Sequence, residues 1–324
     1  MKVTYIYRIL SKMGIKNILH FKNEINWGVW PSSAIVSFDC QLFLWKVAAT
    51  FDTKTPSPTD VATALMEYIE KWLDIINKHT QITKVLCYFD GCRPRMKELT
   101  SNKRRFYSKL KLPKQSLIIN AFVQIPTRRK LELIVNRESE FEMFHKRNPK
   151  EPNILISRDS DLLLVSINYV KKTDNDEVFV FDLNNLYKCK AEQPRSFNIL
   201  LNILLGTDFN DSIFSRTMVK ALYQTRKHIK FDIQTIDDLE QSILKLLIIL
   251  KRSNIKFIIP TRKAPGDCRK FSERLFWIYN YYENYNVDFE YENFENVSSQ
   301  EYLTYIIKKA YPNNDLQSFF RSKF

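Results

Sequence analysis

Residues 84–106 read KVLCYFDGCRPRMKELTSNKRRF. An apolar run ends on a carboxylate, Asp90, and a comb of Arg and Lys begins three residues later. The run is bounded by Gly91 and has the length of a buried strand. Three other stretches share its character: AIVSFD at 34–39, NILIS at 153–157 and EVFVFD at 177–182. Between the first two strands in chain order, Val61, Leu65, Ile69, Trp72, Leu73 and Ile76 recur at a 3.6-residue period, and Thr59 or Asp60 can cap that helix. Strands alternating with helices predict an α/β fold around a mostly parallel sheet. Past residue 195 the pattern turns helical, in FNILLNILLG, TMVKALYQTRK, LEQSILKLLIILKRS, KFSERLFWIYNYYENY and EYLTYIIKKAY. A composition shift near 228–235 separates an expected core over 1–230 from a helical C-terminal extension over 231–324.

The strands end on acids. Asp39 closes VSFD, Asp90 closes CYFD, and Asp159 and Asp161 follow the third strand in LISRDSD. Asp208 follows an apolar helix in LLGTDF. In a parallel α/β sheet the ligand site lies at the carboxyl ends of the strands, so these acids are expected to converge there. A single Asp after a strand also serves as a helix cap or turn residue. Two acids one residue apart, directly after an apolar run, are poorly explained by capping. Like charges repel when they share a site, so convergence implies cations. A donor set of hard oxygens selects Mg²⁺ or Mn²⁺, and two such ions can act on a phosphodiester. RESEFE adds Glu138, Glu140 and Glu142. On a regular helix Glu138 and Glu142 share a face, whereas Glu138 and Glu140 converge only if Glu138 stands at the helix start. Periodicity does not choose between these pairings and a solvated acidic face.

Composition narrows the class. The 324 residues are 44% hydrophobic and 14% aromatic, which suits a globular chain with a sizeable core. A net charge of +14 points to a polyanionic partner. Five glycines leave no Gly-rich phosphate loop, which excludes P-loop and dinucleotide-binding sites. Five scattered cysteines form neither a zinc-ligand pattern nor a disulfide framework and suit a reducing compartment. No apolar run reaches the ~18 residues that span a bilayer. The N-terminal MKVTYIYRILSK has no signal-peptide pattern. The expected location is intracellular, cytoplasmic ahead of nuclear.

Taken together, these motifs resemble the 5′-nuclease superfamily, which holds the flap endonucleases, XPG and the XRN 5′→3′ exoribonucleases. MGIKNIL at 13–19 looks like the family's opening. FDG, ESE, RDSDLL and LLGTDF follow in the family's order, and ESE selects Glu138 and Glu140. The pattern D-G-x-x-P-R-x-K from Asp90, the following R-R-F, GTDF and the aromatic ERLFWIYNYYENY are closer to XRN than to flap endonucleases. Ser101 stands where XRN proteins carry Gln, and DFNDSIFSRT lacks the glycines with which flap endonucleases grip duplex DNA.

The resemblance implies a PIN-like sheet flanked by helices, and two metal ions. Asp39, Asp90, Glu138 and Glu140 would hold the first ion, and Asp159, Asp161 and Asp208 the second. Lys97 would reach the phosphate. Ser101, Arg104 and Arg105 would bind a 5′-phosphate, the two arginines sharing a helical face with Lys97. Trp45 would stack on the terminal base, against the alternative that it belongs to the apolar face of CQLFLWKVAA. The expected partner is single-stranded RNA. A flap-type DNA nuclease is the alternative, and a nucleic-acid-binding protein with a dead nuclease fold is the third reading.

Overall fold

Val, Ile, Leu and aromatic residues dominate the apolar runs, and they pair as strands. The computed structural model describes residues 18–20, 30–51, 55–97, 112–157, 162, 178–181, 186–189, 195–224, 229–253 and 266–321. The chain divides into two compact units. One spans 13–93 and 101–192 and holds the sheet. The other gathers 94–100 with 193–324 and is helical among its described residues.

The sheet unit is built on seven strands: β1 (Ile18–His20), β2 (Ser33–Asp39), β3 (Gln81–Phe89), β4 (Leu131–Val135), β5 (Asn153–Ile156), β6 (Val178–Phe181) and β7 (Leu186–Cys189). Their order is β1-β7-β6-β5-β2-β3-β4. β6, β5, β2, β3 and β4 run parallel, while β7 and β1 add an antiparallel edge. The expected parallel α/β sheet is present, and all four strands read from the sequence belong to it. β4 was not among them.

Helix α1 (Cys40–Ala48) follows β2 directly, α2 (Pro58–Asn77) leads into β3, and α3 (Gln115–Phe122) precedes β4. Ser57, not Thr59 or Asp60, caps α2, and Pro58 takes the first helical position where its missing N–H costs nothing. Phe43 and Val47 of α1, Val61, Leu65, Ile69 and Leu73 of α2, and Ile118 and Phe122 of α3 close over Val36, Phe38, Val85 and Phe89 as one apolar core. The short α4 (Ser139–His145) packs against β2 and β3.

In the helical unit α5 (Arg195–Leu205), α6 (Arg216–Gln224), α7 (Ile236–Arg252), α8 (Cys268–Asn284), α9 (Ser299–Ala310) and α10 (Leu316–Arg321) match the five helical stretches read from the sequence and add α10. α8 packs on α5 and α7, and α9 on α7 and α10. No described helix is long and apolar enough to cross a membrane.

Candidate functional site

Register sets the site. Phe38 pairs with Ile156 and Asp39 with Tyr88, while Phe89 pairs with Val135. Asp39, Asp90 and Ser157 therefore lie at the same, carboxyl edge of adjacent strands, and the chain carrying Glu138 and Glu140 leaves β4 at that edge. The RDSD motif carrying Asp159 and Asp161 begins two residues past β5, outside the described residues.

Asp39 ends β2 and caps α1, its Oδ1 accepting from the Leu42 N–H at 3.2 Å. It is buried, and two buried serines donate to it: Ser139 Oγ to Oδ1 at 2.8 Å and Ser157 Oγ to Oδ2 at 2.7 Å. Asp90 follows β3. Its Oδ1 accepts from the Ser139 N–H at 2.9 Å, and its Oδ2 from Arg93 Nε at 3.0 Å and from Nη2 of the same guanidinium. Ser139 thus joins two aspartates that stand 49 and 100 residues from it in sequence.

Gly91 makes this arrangement possible. Its N–H donates to the Arg137 carbonyl at 2.9 Å, and the next N–H, of Cys92, to the Asn136 carbonyl at 2.8 Å. A Cβ on Gly91 would lie 1.8 Å from the Asn136 oxygen. Only glycine lets the loop after β3 run this close to the loop that carries Glu138.

Glu138 precedes α4 with extended backbone (φ −71°, ψ 130°), and Glu140 occupies its first turn. The condition for their convergence is met, and both are buried. Ser139 Oγ stands 3.4 Å from Glu140 Oε2. Glu142 instead pairs with Lys146 at 2.9 Å and accepts from Asn136 Nδ2 at 3.4 Å. Burial, and after it Glu142, pushes the Tyr88 phenol well above its ordinary range. Burial of the Arg93 guanidinium works against its charge, but Asp90, Glu138 and Glu140 outweigh that and raise its pKa. One guanidinium therefore feels three carboxylates of the ESE and FDG motifs.

These side chains suit a hard divalent cation by chemistry: all are carboxylates, buried, with no imidazole or thiolate among them. Among the described residues no three Asp, Glu, His or Cys side chains close round a common point to hold an ion.

Lys97 and Asp208 belong to the helical unit. Lys97 ends a 3₁₀ turn, Arg95–Lys97, and is the last described residue before the rest of the basic comb, so the helical face expected from Lys97 onward lies outside the described residues. Its Nζ lies 5.5 Å from the centre of the Phe209 ring and 5.8 Å from that of Tyr281, within cation–π range. Ser101, Arg104 and Arg105 lie outside the described residues, and the expected shared face with them.

Asp208 sits in the turn after α5. Gly206 adopts φ +93°, which L side chains avoid, and a Cβ there would meet the Ser212 nitrogen at 2.8 Å. Thr207 Oγ1 donates to Asn210 Oδ1 at 2.7 Å, and Asn210 Nδ2 to the Ile203 carbonyl at 2.8 Å. The turn is tied to its own helix, leaving Asp208 half-buried between two buried neighbours.

Trp45 is 37% exposed, whereas Phe43, Leu44, Val47 and Ala48 of the same helix are buried. Its ring stands out from the core face of α1. Sequence reasoning missed Ser139, Ser157 and Arg93. The usable signal for the serines was position: one between the acids of ESE, one two residues before Asp159.

No family model and no curated protein matches the chain. Solved structures do. The catalytic core of Rad2 in complex with DNA substrate is 12% identical, aligned over 95% of this chain and 93% of that one with a TM-score of 0.50. Human GEN1 in complex with Holliday junction DNA is 10% identical over 86% and 77%, TM-score 0.45. The bacteriophage T5 D15 flap endonuclease, in a pseudo-enzyme-product complex with DNA and metal ions, is 10% identical over 78% and 94%, TM-score 0.38. The likeness to the Rad2 core is one of fold, and with the parallel sheet it gives this chain a PIN-like α/β architecture.

Proposed function

We propose that the protein is a divalent-metal-dependent 5′→3′ nuclease that hydrolyses phosphodiester bonds from the 5′ end of single-stranded nucleic acid. The observation that carries this reading is the set of buried carboxylates at the carboxyl edge of adjacent parallel strands, with Asp39 and Asp90 tied through Ser139. Asp39, Asp90, Glu138 and Glu140, joined by Asp159, Asp161 and Asp208, would hold Mg²⁺ or Mn²⁺. Such ions, when bound, supply Lewis acidity and a water of lowered pKa.

The remaining roles belong to the chain. The Lys97 ammonium meets a phosphate oxygen. Arg104 and Arg105 receive the 5′-phosphate beside Ser101, where a planar guanidinium can bind two oxygens at once. The exposed Trp45 ring offers a face for the terminal base, a contact worth about 1–3 kcal/mol.

RNA is the first substrate reading, on the XRN-like D-G-x-x-P-R-x-K and GTDF stretches. DNA is the second. It is favoured by the fold shared with the Rad2 core, whose structure holds a DNA substrate. Matched 5′-phosphate RNA, 5′-phosphate single-stranded DNA and a DNA flap, each incubated with Mg²⁺ or Mn²⁺, separate them. RNA is expected to disappear fastest, and Asp159→Ala with Asp161→Ala to abolish turnover while binding survives. Faster loss of the flap selects the DNA reading. No cleavage of any substrate selects a binding protein with a dead nuclease fold.

A further inference from the structure

We propose that Arg93 is the resident counter-ion of the acidic centre and competes with a divalent cation for Asp90, so that this one side chain sets the affinity for the metal. The inference rests on the reading above that these carboxylates take a metal. It goes beyond that reading in naming the group the metal must displace.

The argument starts from the oxygens. Asp90 Oδ1 accepts from the Ser139 backbone and Oδ2 from two N–H groups of Arg93. Asp39 Oδ1 accepts from Ser139 and Leu42, and Oδ2 from Ser157. All four oxygens of the aspartate pair therefore have protein donors. Three of the four are served by groups fixed in place: two backbone N–H groups and two fully packed serine hydroxyls. The fourth, Asp90 Oδ2, is served by a long side chain.

The two partners at that oxygen differ in freedom. Asp90 is 9% exposed at its side chain and is held by the backbone pairing of Gly91 and Cys92 with the loop before α4. Arg93 lies three residues on and its side chain is 34% exposed, so it can withdraw into solvent without disturbing the core. Glu138 and Glu140 also act on its charge, which places the guanidinium in the field of the ESE motif as well. A cation entering this field meets like charge while Arg93 remains, and gains a carboxylate oxygen when Arg93 leaves. The exchange trades one positive charge for two.

Mn²⁺ binding to the full chain, without substrate, tests this. Free Mn²⁺ is followed by electron paramagnetic resonance for the wild type, Arg93→Gln and Arg93→Lys, and the unfolding midpoint is measured in EDTA and in Mn²⁺. Arg93→Gln is expected to bind Mn²⁺ about tenfold more tightly and to lower the midpoint in EDTA but not in saturating Mn²⁺. Arg93→Lys, which keeps the charge, stays within about threefold of the wild type. Unchanged or weaker Mn²⁺ binding by Arg93→Gln, against a wild type that binds, overturns the role of Arg93 and leaves the metal reading standing. Absence of Mn²⁺ binding by all three proteins overturns the metal reading, and this inference with it. A tenfold gain in Arg93→Lys would show that charge is not the cause and would also overturn it.

Discussion

Ser139 lies between two acids in the sequence and does more for the aspartates than for its own neighbours. Its N–H serves Asp90 and its hydroxyl serves Asp39. Ser139→Ala keeps the first bond and loses the second, leaving a buried carboxylate with one charge-assisted donor fewer. A loss of about 1.5–3 kcal/mol is expected in denaturant unfolding, with partial recovery in Ser139→Thr. Gly91→Ala is expected to be worse, because the added methyl meets a backbone oxygen at 1.8 Å that cannot turn aside. The two loops must part, and the variant should unfold at markedly lower denaturant or fail to accumulate as folded protein. Asp39 and Asp90 were legible because a charge directly at the end of an apolar run is conspicuous, whereas Glu138 and Glu140 were singled out only by the resemblance of ESE. Ser139 and Ser157 were not, since a hydroxyl donor leaves no mark in either charge or periodicity. Arg93 was hidden in plain view. It reads as the first tooth of a basic comb, and only the fold turns it back on Asp90.

Elements were read well where their pattern was strong. Strands β2, β3, β5 and β6 and helices α2 and α5–α9 follow from apolar runs and period. β4 was missed because LELIV is short, carries Glu132 at its second position and lies at the sheet edge with no residue fully buried. An edge strand needs less apolar character than a central one, so its signal fades. Helix α7 shows how end chemistry enters. Thr235 and Asp238 form a reciprocal capping box. The Thr235 hydroxyl, and after it the Gln234 N–H, holds Asp238 below its ordinary 3.8, while Arg269 and then Lys309 do the same for Asp237. A folded-state pKa below the unfolded one contributes stability above the unfolded value and loses it as pH falls through the folded one. Unfolding followed by circular dichroism should therefore show the helical unit weakening below about pH 4. Asp238→Asn should flatten that part of the acid slope.

For the whole molecule, net charge and fold class were legible from composition and alternation, whereas the path of the chain between units was not. The segment from Pro94 joins the helical unit. The Arg95 N–H donates to the Phe289 carbonyl at 2.9 Å, and its guanidinium pairs with Glu290 and Glu292, each at 2.6 Å. Nothing local in RPRMK announces partners almost two hundred residues away. At +14 the molecule is expected to bind an oligonucleotide mainly through phosphate neutralisation. Affinity measured by fluorescence anisotropy should fall linearly on a log–log plot between 50 and 200 mM salt, by about 10-fold or more if several phosphates are contacted. A flat response would count against nucleic acid as the partner.

Beneath Lys97 the rings form a continuous stack. Phe209 meets Tyr281 edge to face at 4.8 Å, Tyr281 lies parallel to Trp277 at 5.5 Å, and Trp277 lies parallel to Tyr291 at 5.8 Å. An ammonium resting on Phe209 and Tyr281 polarises the faces that an indole shares. The protein thus carries an optical reporter next to the lysine proposed to meet phosphate, and a shift in Trp277 emission would record the moment that lysine changes partners.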